Sequence, residues 1–143
     1  MSVKTILTRK GTDVATVAPT ATLGEAIRIL ADKHIGAVVV TESNGEVAGI
    51  LSERDIVRAA AAAQGSLLAT PVSQFMTRKV VTCQEGDSIQ SIMELMTAGK
   101  FRHVPVLADG RLAGIVSIRD VIEFRLEQME RESESLRDYI RKA

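Results

Sequence analysis

The sequence predicts an α/β chain of the α+β kind, built from two copies of one β-α-β-β-α unit and closed by an extended C-terminal helix. Three observations carry this. Residues 16–45 align with 82–110, so that Thr16 meets Thr82, Leu23 meets Ile89, Ala26 meets Ile92 and Leu30 meets Met96 at a constant spacing of 66. A single deletion at a turn changes the spacing to 65, and Gly45, Ala48, Gly49, Ser52, Arg54 and Asp55 then meet Gly110, Ala113, Gly114, Ser117, Arg119 and Asp120. Each copy also passes from extended to helical to alternating patterns in the same order.

Residues 14–17 and 80–83 are short extended segments. Thr22-Leu23-Gly24-Glu25 has the Ser/Thr-x-x-Glu form of a capping box, which opens a helix whose apolar face is Leu23, Ala26, Ile27 and Leu30. Ile89, Ile92, Met93 and Met96 repeat that face. Strands follow at 37–41 and 103–107. They turn at Asn44-Gly45 and Asp109-Gly110, both signals for type I′ hairpins, and return at 47–51 and 112–116. A further helix opens at Ser52 and again at Ser117. Between the copies, Gln64-Gly65 marks a helix stop, and Thr70-Pro71 suits an N-cap followed by Pro at the first position of a short helix through Phe75. The boundaries expected are 1–66 for the first repeat with its N-terminal segment, 67–124 for the linker helix and second repeat, and 125–143 for a helical extension. Along that extension Ile122, Leu126, Met129, Leu136 and Ile140 follow a roughly 4-3 spacing interrupted by Ser133. It is read either as a helix packed on its own domain and frayed at its end, or as a contact with a second subunit.

The bulk numbers narrow the function classes. With 18 basic and 18 acidic residues among 143 the formal charge cancels, and aromatic residues are only 3%, which disfavours nucleic acid. The one cysteine, Cys83, cannot close an internal disulfide and reads as a small buried hydrophobe. Neither a signal peptide nor a membrane-length apolar run is seen, so the cytoplasm is the expected location. The two histidines, His34 and His103, stand far apart, and no phosphate loop, nucleophile elbow or metal-ligand spacing occurs. No catalytic residue and no metal are expected, and the chain is not expected to be an enzyme.

The chemistry gathers at two places. Residues 49–55 and 114–120 share the form Gly-apolar-apolar-Ser-x-Arg-Asp. It puts Ser52 or Ser117 at a helix N-cap and Asp55 or Asp120 at N3. Free N–H groups and the helix dipole favour an anion there. The carboxylate can accept two hydrogen bonds from a vicinal diol such as ribose, while Arg54 or Arg119 offers a planar fork for phosphate. Read once, Ser-x-x-Asp is first of all a plain helix cap; its recurrence with Arg weakens that reading. The second place is Arg102-His103-Val104-Pro105-Val106. Pro inside a strand predicts an edge or a break whose unpaired backbone faces an adenine edge, with Arg102 and His103 near a phosphate and Lys100 close by. A solvated basic strand start is the alternative. The matching Gly36-Ala37-Val38-Val39 has neither charge nor Pro, so two unequal sites are expected.

These residues resemble a cystathionine β-synthase (CBS) domain pair over residues 14–122. The resemblance rests on Thr16-Val17-Ala18-Pro19 with Leu23, the two hairpins, Arg102-His103-Val104-Pro105-Val106, both Gly-x-x-Ser-x-Arg-Asp endings and the lead-in Phe75-Met76-Thr77. It implies two pseudo-symmetric repeats packed through their sheets around two clefts, commonly dimerising into a disc. It implies an adenine nucleotide as ligand, AMP foremost, with ADP, ATP, S-adenosylmethionine or NAD(H) as alternatives. Asp55 and Asp120 would hold ribose, Ser52 and Ser117 ribose or phosphate, and the segments at Thr16, Thr82, Ala37, Val38, Val104 and Pro105 the base. Arg102 and His103 would face phosphate. With no effector domain in this sequence, the output of such a sensor would go to a separate, unidentified partner. A scaffold with degenerate sites is the competing reading.

Overall fold

The computed structural model describes residues 1–63 and 65–142; Gln64, half of the expected helix stop, and Ala143 lie outside the described residues. The elements run α1 (Val3–Lys10), β1 (Thr16–Val17), α2 (Leu23–Lys33), β2 (Ala37–Thr41), β3 (Val47–Ser52), α3 (Glu53–Ala62), a 3₁₀ turn (Val72–Gln74), β4 (Cys83–Gln84), α4 (Ile89–Gly99), β5 (His103–Ala108), β6 (Arg111–Ser117) and α5 (Ile118–Lys142). They form two three-stranded sheets in the orders β1-β2-β3 and β4-β5-β6. In each, the first strand is parallel to the middle one and the third antiparallel to it.

The local signals act as the sequence suggests. Thr22 caps α2 in a reciprocal box with Glu25. Its counterpart Ser88 caps α4 through the Ser91 N–H, 3.0 Å away. The two helices end on left-handed residues 66 apart, His34 (φ 54°) and Lys100 (φ 57°). The hairpins differ. Asp109 and Gly110 both have positive φ, which makes a two-residue type I′ loop between the paired Ala108 and Arg111. In the first copy only Gly45 is left-handed, and Glu42 and Glu46 close a three-residue loop, so the expected type I′ turn there is replaced by the longer form with a Gly bulge. The extra residue is the deletion found in the repeat. The Thr70-Pro71 helix is likewise only a 3₁₀ turn, with Pro71 outside it.

Each sheet buries one face under its own helices. Val38, Val40 and Leu51 meet Leu23, Ala26 and Leu30 of α2 in the first half; Val104, Val106 and Val116 meet Ile89, Ile92 and Met96 of α4 in the second. The opposite faces, at Ala37 and Val39 and at Pro105, are buried as well, and through these the halves pack on one another. The near-continuous apolar run of β2 follows from this double burial.

The lead-in segments cross between the halves. The N-terminal α1, which the sequence reading left without an element, places Val3, Ile6 and Leu7 in the core of the second half. Val72 and Met76 of the connector enter the core of the first. The exchange is symmetric in detail: the Val3 N–H bonds the Asp87 carbonyl at 2.9 Å, and the Val72 N–H bonds the Ala21 carbonyl at 2.8 Å. Burial of about 1.5–3 kcal/mol per large aliphatic side chain ties each half to the other's lead-in. A lead-in signal does exist in the sequence, since Thr8-Arg9-Lys10 recurs as Thr77-Arg78-Lys79.

Candidate functional site

Both Ser-x-x-Asp motifs fold as caps, and then they diverge. Asp55 is 7% exposed. Its Oδ2 accepts from the Ser52 N–H at 2.9 Å and the Ser52 hydroxyl at 3.1 Å, and its Oδ1 accepts from the Thr77 hydroxyl at 3.1 Å. Both oxygens are therefore engaged by the chain itself. Thr77 is held in place by two backbone bonds to Ile50, at 2.9 and 3.0 Å.

Asp120 sits at the equivalent place with other partners. Its Oδ2 accepts from the Ser117 N–H at 2.8 Å, the Ser117 hydroxyl at 3.0 Å and the Lys10 ammonium at 2.7 Å. Among the described residues none donates to Oδ1. Lys10 also donates to the Ile115 carbonyl at 3.0 Å, so α1 serves here as Thr77 serves at Ile50. Burial works to raise the Asp120 carboxyl, but the bonds from Lys10 and Ser117 outweigh it and hold the carboxyl below its ordinary value. The group is thus a carboxylate at neutral pH, with one oxygen fixed and the other open.

His103 opens β5 at the junction of the halves. A methyl group on Gly36 would stand 3.1 Å from its Cε1 and 3.4 Å from a Glu53 carboxylate oxygen. Burial lowers the His103 pKa, and Lys10 and Arg102 add to this, against the pull of Glu53 and Asp120. The ring is neutral at pH 7 and offers one donor and one acceptor rather than a charge.

The arginines do not converge on the carboxylates. Arg54 crosses to the second half and donates to the Lys100 carbonyl at 2.9 Å, closing the end of α4. Arg119 is largely exposed and pairs with Glu123 at 3.4 Å along its own helix. Arg102 is exposed on its side chain, while its carbonyl accepts from the Ile118 N–H at 2.8 Å. Of the remaining expected residues, Thr16 pairs with Val39 and is exposed, and Thr82 is half-buried just before β4. Ala37 pairs with Ser52. Val38 and Val104 point into the helix-side cores, so only their backbones can meet a ligand.

Pro105 corrects the expectation of an edge strand, because β5 is the middle strand of its sheet. In the first half the Val39 N–H bonds the Ala15 carbonyl at 3.1 Å. Pro105 occupies the equivalent position without an N–H, and β4 starts one residue later, at Cys83. The proline is tolerated because its missing donor falls beyond the end of β4. Among the described residues the backbone next to Thr82 has no ladder partner on that side, which is the break the sequence reading associated with an adenine edge.

Burial, helped by Asp87, pushes the Cys83 thiol up to about 12. Among the described residues no cluster of His, Cys, Asp or Glu is arranged to hold a metal ion, and no helix is long and apolar enough to cross a membrane. One surface concavity lies along α2 and Leu68 and another along α3; neither includes a motif aspartate.

Known proteins share this arrangement. The CBS domain family model matches twice, over residues 3–62 and 72–127. A CBS-domain containing protein from Agrobacterium tumefaciens is 50% identical, with a TM-score of 0.84 over 87% of this chain and 99% of its own. A CBS domain protein from Pyrobaculum aerophilum, solved with AMP, is 29% identical, with a TM-score of 0.75 over 84% of this chain and 89% of its own. A CBS domain pair solved with 5-methylthioadenosine and S-adenosyl-L-methionine is 26% identical, with a TM-score of 0.79 over 90% and 98%. The chain spans 70% of the length of a relative from Acidianus ambivalens but 22% of relatives from Arabidopsis thaliana.

Proposed function

The chain belongs to the CBS-domain family as a tandem pair, and from that premise we propose that it is a regulatory module that binds an adenine nucleotide beside Asp120 and signals occupancy to a separate protein. The observation that carries the reading is the open Oδ1 of Asp120, next to an Oδ2 already fixed by Ser117 and Lys10. A ribose diol approaching it finds an ionised acceptor that needs no reorganisation. The unpaired backbone beside Thr82 and Pro105 suits the adenine edge, and Lys10, His103 and Arg102 lie on the side where a phosphate would extend. The structures solved with AMP and with S-adenosyl-L-methionine support an adenosine-type ligand; AMP is the first choice, with ADP, ATP and NAD(H) to be compared.

The Asp55 cleft is the weaker site. Ligand there must displace the Thr77 hydroxyl, and Arg54 is already committed to Lys100. Signalling requires only that the nucleotide bind two arrangements of the halves unequally, and Lys10, which ties α1 to Asp120, is the group best placed to feel the difference. The module acts without catalysis, in the cytoplasm, as a homodimer. The engaged Asp55 also favours a second reading, a scaffold whose sites have degenerated. Calorimetric titration with AMP, ATP and NADH separates the two. Binding that Asp120→Ala removes and Glu53→Ala leaves intact supports the sensor; silence at millimolar ligand supports the scaffold.

A further inference from the structure

The strongest unassigned surface is α5. It runs 25 residues, whereas its counterpart α3 has 10, and beyond Glu130 every described residue of it is exposed. An isolated helix of roughly a dozen residues is marginal in water, so the outer half needs a partner to persist. Its exposed apolar residues are Ile122 (51%), Leu126 (56%), Met129 (51%), Leu136 (60%) and Ile140 (64%). With Ser133 they alternate four and three residues apart, the a/d seam of a coiled coil with Leu126 at a. The side turned to the chain's own body is the opposite one: Val121 and Phe124 are buried, and Glu127 bonds Arg9. These are the c, f and b positions, so the body leaves the whole seam free.

We infer that α5 pairs with α5 of a second copy as a parallel, in-register two-stranded coiled coil. Charge, together with coverage of the whole seam, selects the occupant and the direction. In a parallel pair each g residue faces the e residue five positions on in the other helix. Arg125 then meets Glu130, and Glu132 meets Arg137. Both contacts are attractive and no like charges meet. An antiparallel pair sets Glu123 against Glu130 in one register, and Glu130 and Glu132 each against itself in the next; the third register joins Glu130 to Arg137 but leaves Ile122 outside the overlap and Leu126 at its edge, so the parallel pair alone covers the seam without meeting like charges. The inference deepens only the self-association part of the function proposed above; nucleotide binding succeeds or fails independently of it.

The test uses the full chain. Light scattering gives twice the 15.4 kDa chain mass, and Leu136→Glu raises the dimer dissociation constant about tenfold or more, while Arg131→Glu on the outer face does not. In a Cys83→Ala background, Ser133→Cys and Ile140→Cys each cross-link to themselves under mild oxidation. Only one of the two can do so in any antiparallel register. A monomeric mass, a dimer indifferent to Leu136→Glu, or cross-linking at one position alone overturns the proposal.

Discussion

Replacing Gly49 and Gly114 by alanine, one at a time, tests whether the lead-ins truly cross between the halves. A Cβ at Gly49 would stand 2.7 Å from Met76 Sδ and 2.8 Å from the Thr77 carbonyl oxygen. The carbonyl cannot yield without stretching the two bonds between Thr77 and Ile50, and with them the Thr77 hydroxyl bond to Asp55. A Cβ at Gly114 would stand 2.6 Å from Leu7 Cδ2, but the three nearest atoms all belong to the Leu7 side chain, whose tip can turn aside. Overpacking costs about 1–3 kcal/mol, so Gly49→Ala belongs near 3 kcal/mol and Gly114→Ala near 1 kcal/mol. At about 2–4 °C per kcal/mol, Tm falls by roughly 6–12 °C in the first and 2–4 °C in the second. The chain has no Trp, so urea and thermal unfolding are best followed by far-ultraviolet circular dichroism. Leu7→Ala, itself costing about 2–5 kcal/mol, should erase the added cost of Gly114→Ala, because the contacts share one partner. Equal losses at the two glycines, or additive losses with Leu7→Ala, would refute the exchange of lead-ins.

Three further perturbations probe the site. Lys10→Met removes one charged hydrogen bond from Asp120; since Lys10 is 32% exposed, about 1 kcal/mol is lost at neutral pH. Asp120 is held below its ordinary pKa, so its contribution is present above the unfolded carboxyl value of 3.8 and fades as pH falls through the lower folded value. Without Lys10 the gap between those values should narrow in an acid titration of stability. His103 has its pKa lowered by burial from 6.5, so the unfolded chain binds more protons just below that pH and stability falls on acidification. His103→Gln should flatten that slope as pH falls below about 6.5 in urea titrations; an unchanged slope would place the ring outside the junction. Cys83, with its thiol raised to about 12, should resist a disulfide reagent at neutral pH and react only on unfolding; rapid labelling of the native chain would contradict its burial.

The repeat made most of the fold readable, because two copies check each other: Ser52 and Ser117 report the same cap twice. What escaped depended on contacts between distant segments. α1 has weak local signals and is stabilised by burying Val3, Ile6 and Leu7 in the core of the second half, against strands about 80 to 110 residues on. Its role at Asp120 was therefore hidden, although the recurrence of Thr-Arg-Lys pointed to it. The motif arginines mislead for a related reason. Sequence gives their spacing from Asp55 and Asp120, whereas their direction is set by what lies across the junction, which for Arg54 is the Lys100 carbonyl. Pro105 gave the right break in pairing and the wrong place in the sheet, since an unmet donor needs only the end of a short neighbour and not the sheet's edge.

The two carboxylates that first suggested a diol site differ at Oδ1, which the Thr77 hydroxyl holds on Asp55 and which is open on Asp120. Isothermal calorimetry of AMP with the native chain, Asp120→Asn and Asp55→Asn tests that difference directly. A charge-assisted hydrogen bond of about 1.5–3 kcal/mol predicts that Asp120→Asn weakens AMP roughly 10- to 150-fold, with a much smaller change for Asp55→Asn. AMP lost through Asp55→Asn and kept through Asp120→Asn would contradict the assignment of the site.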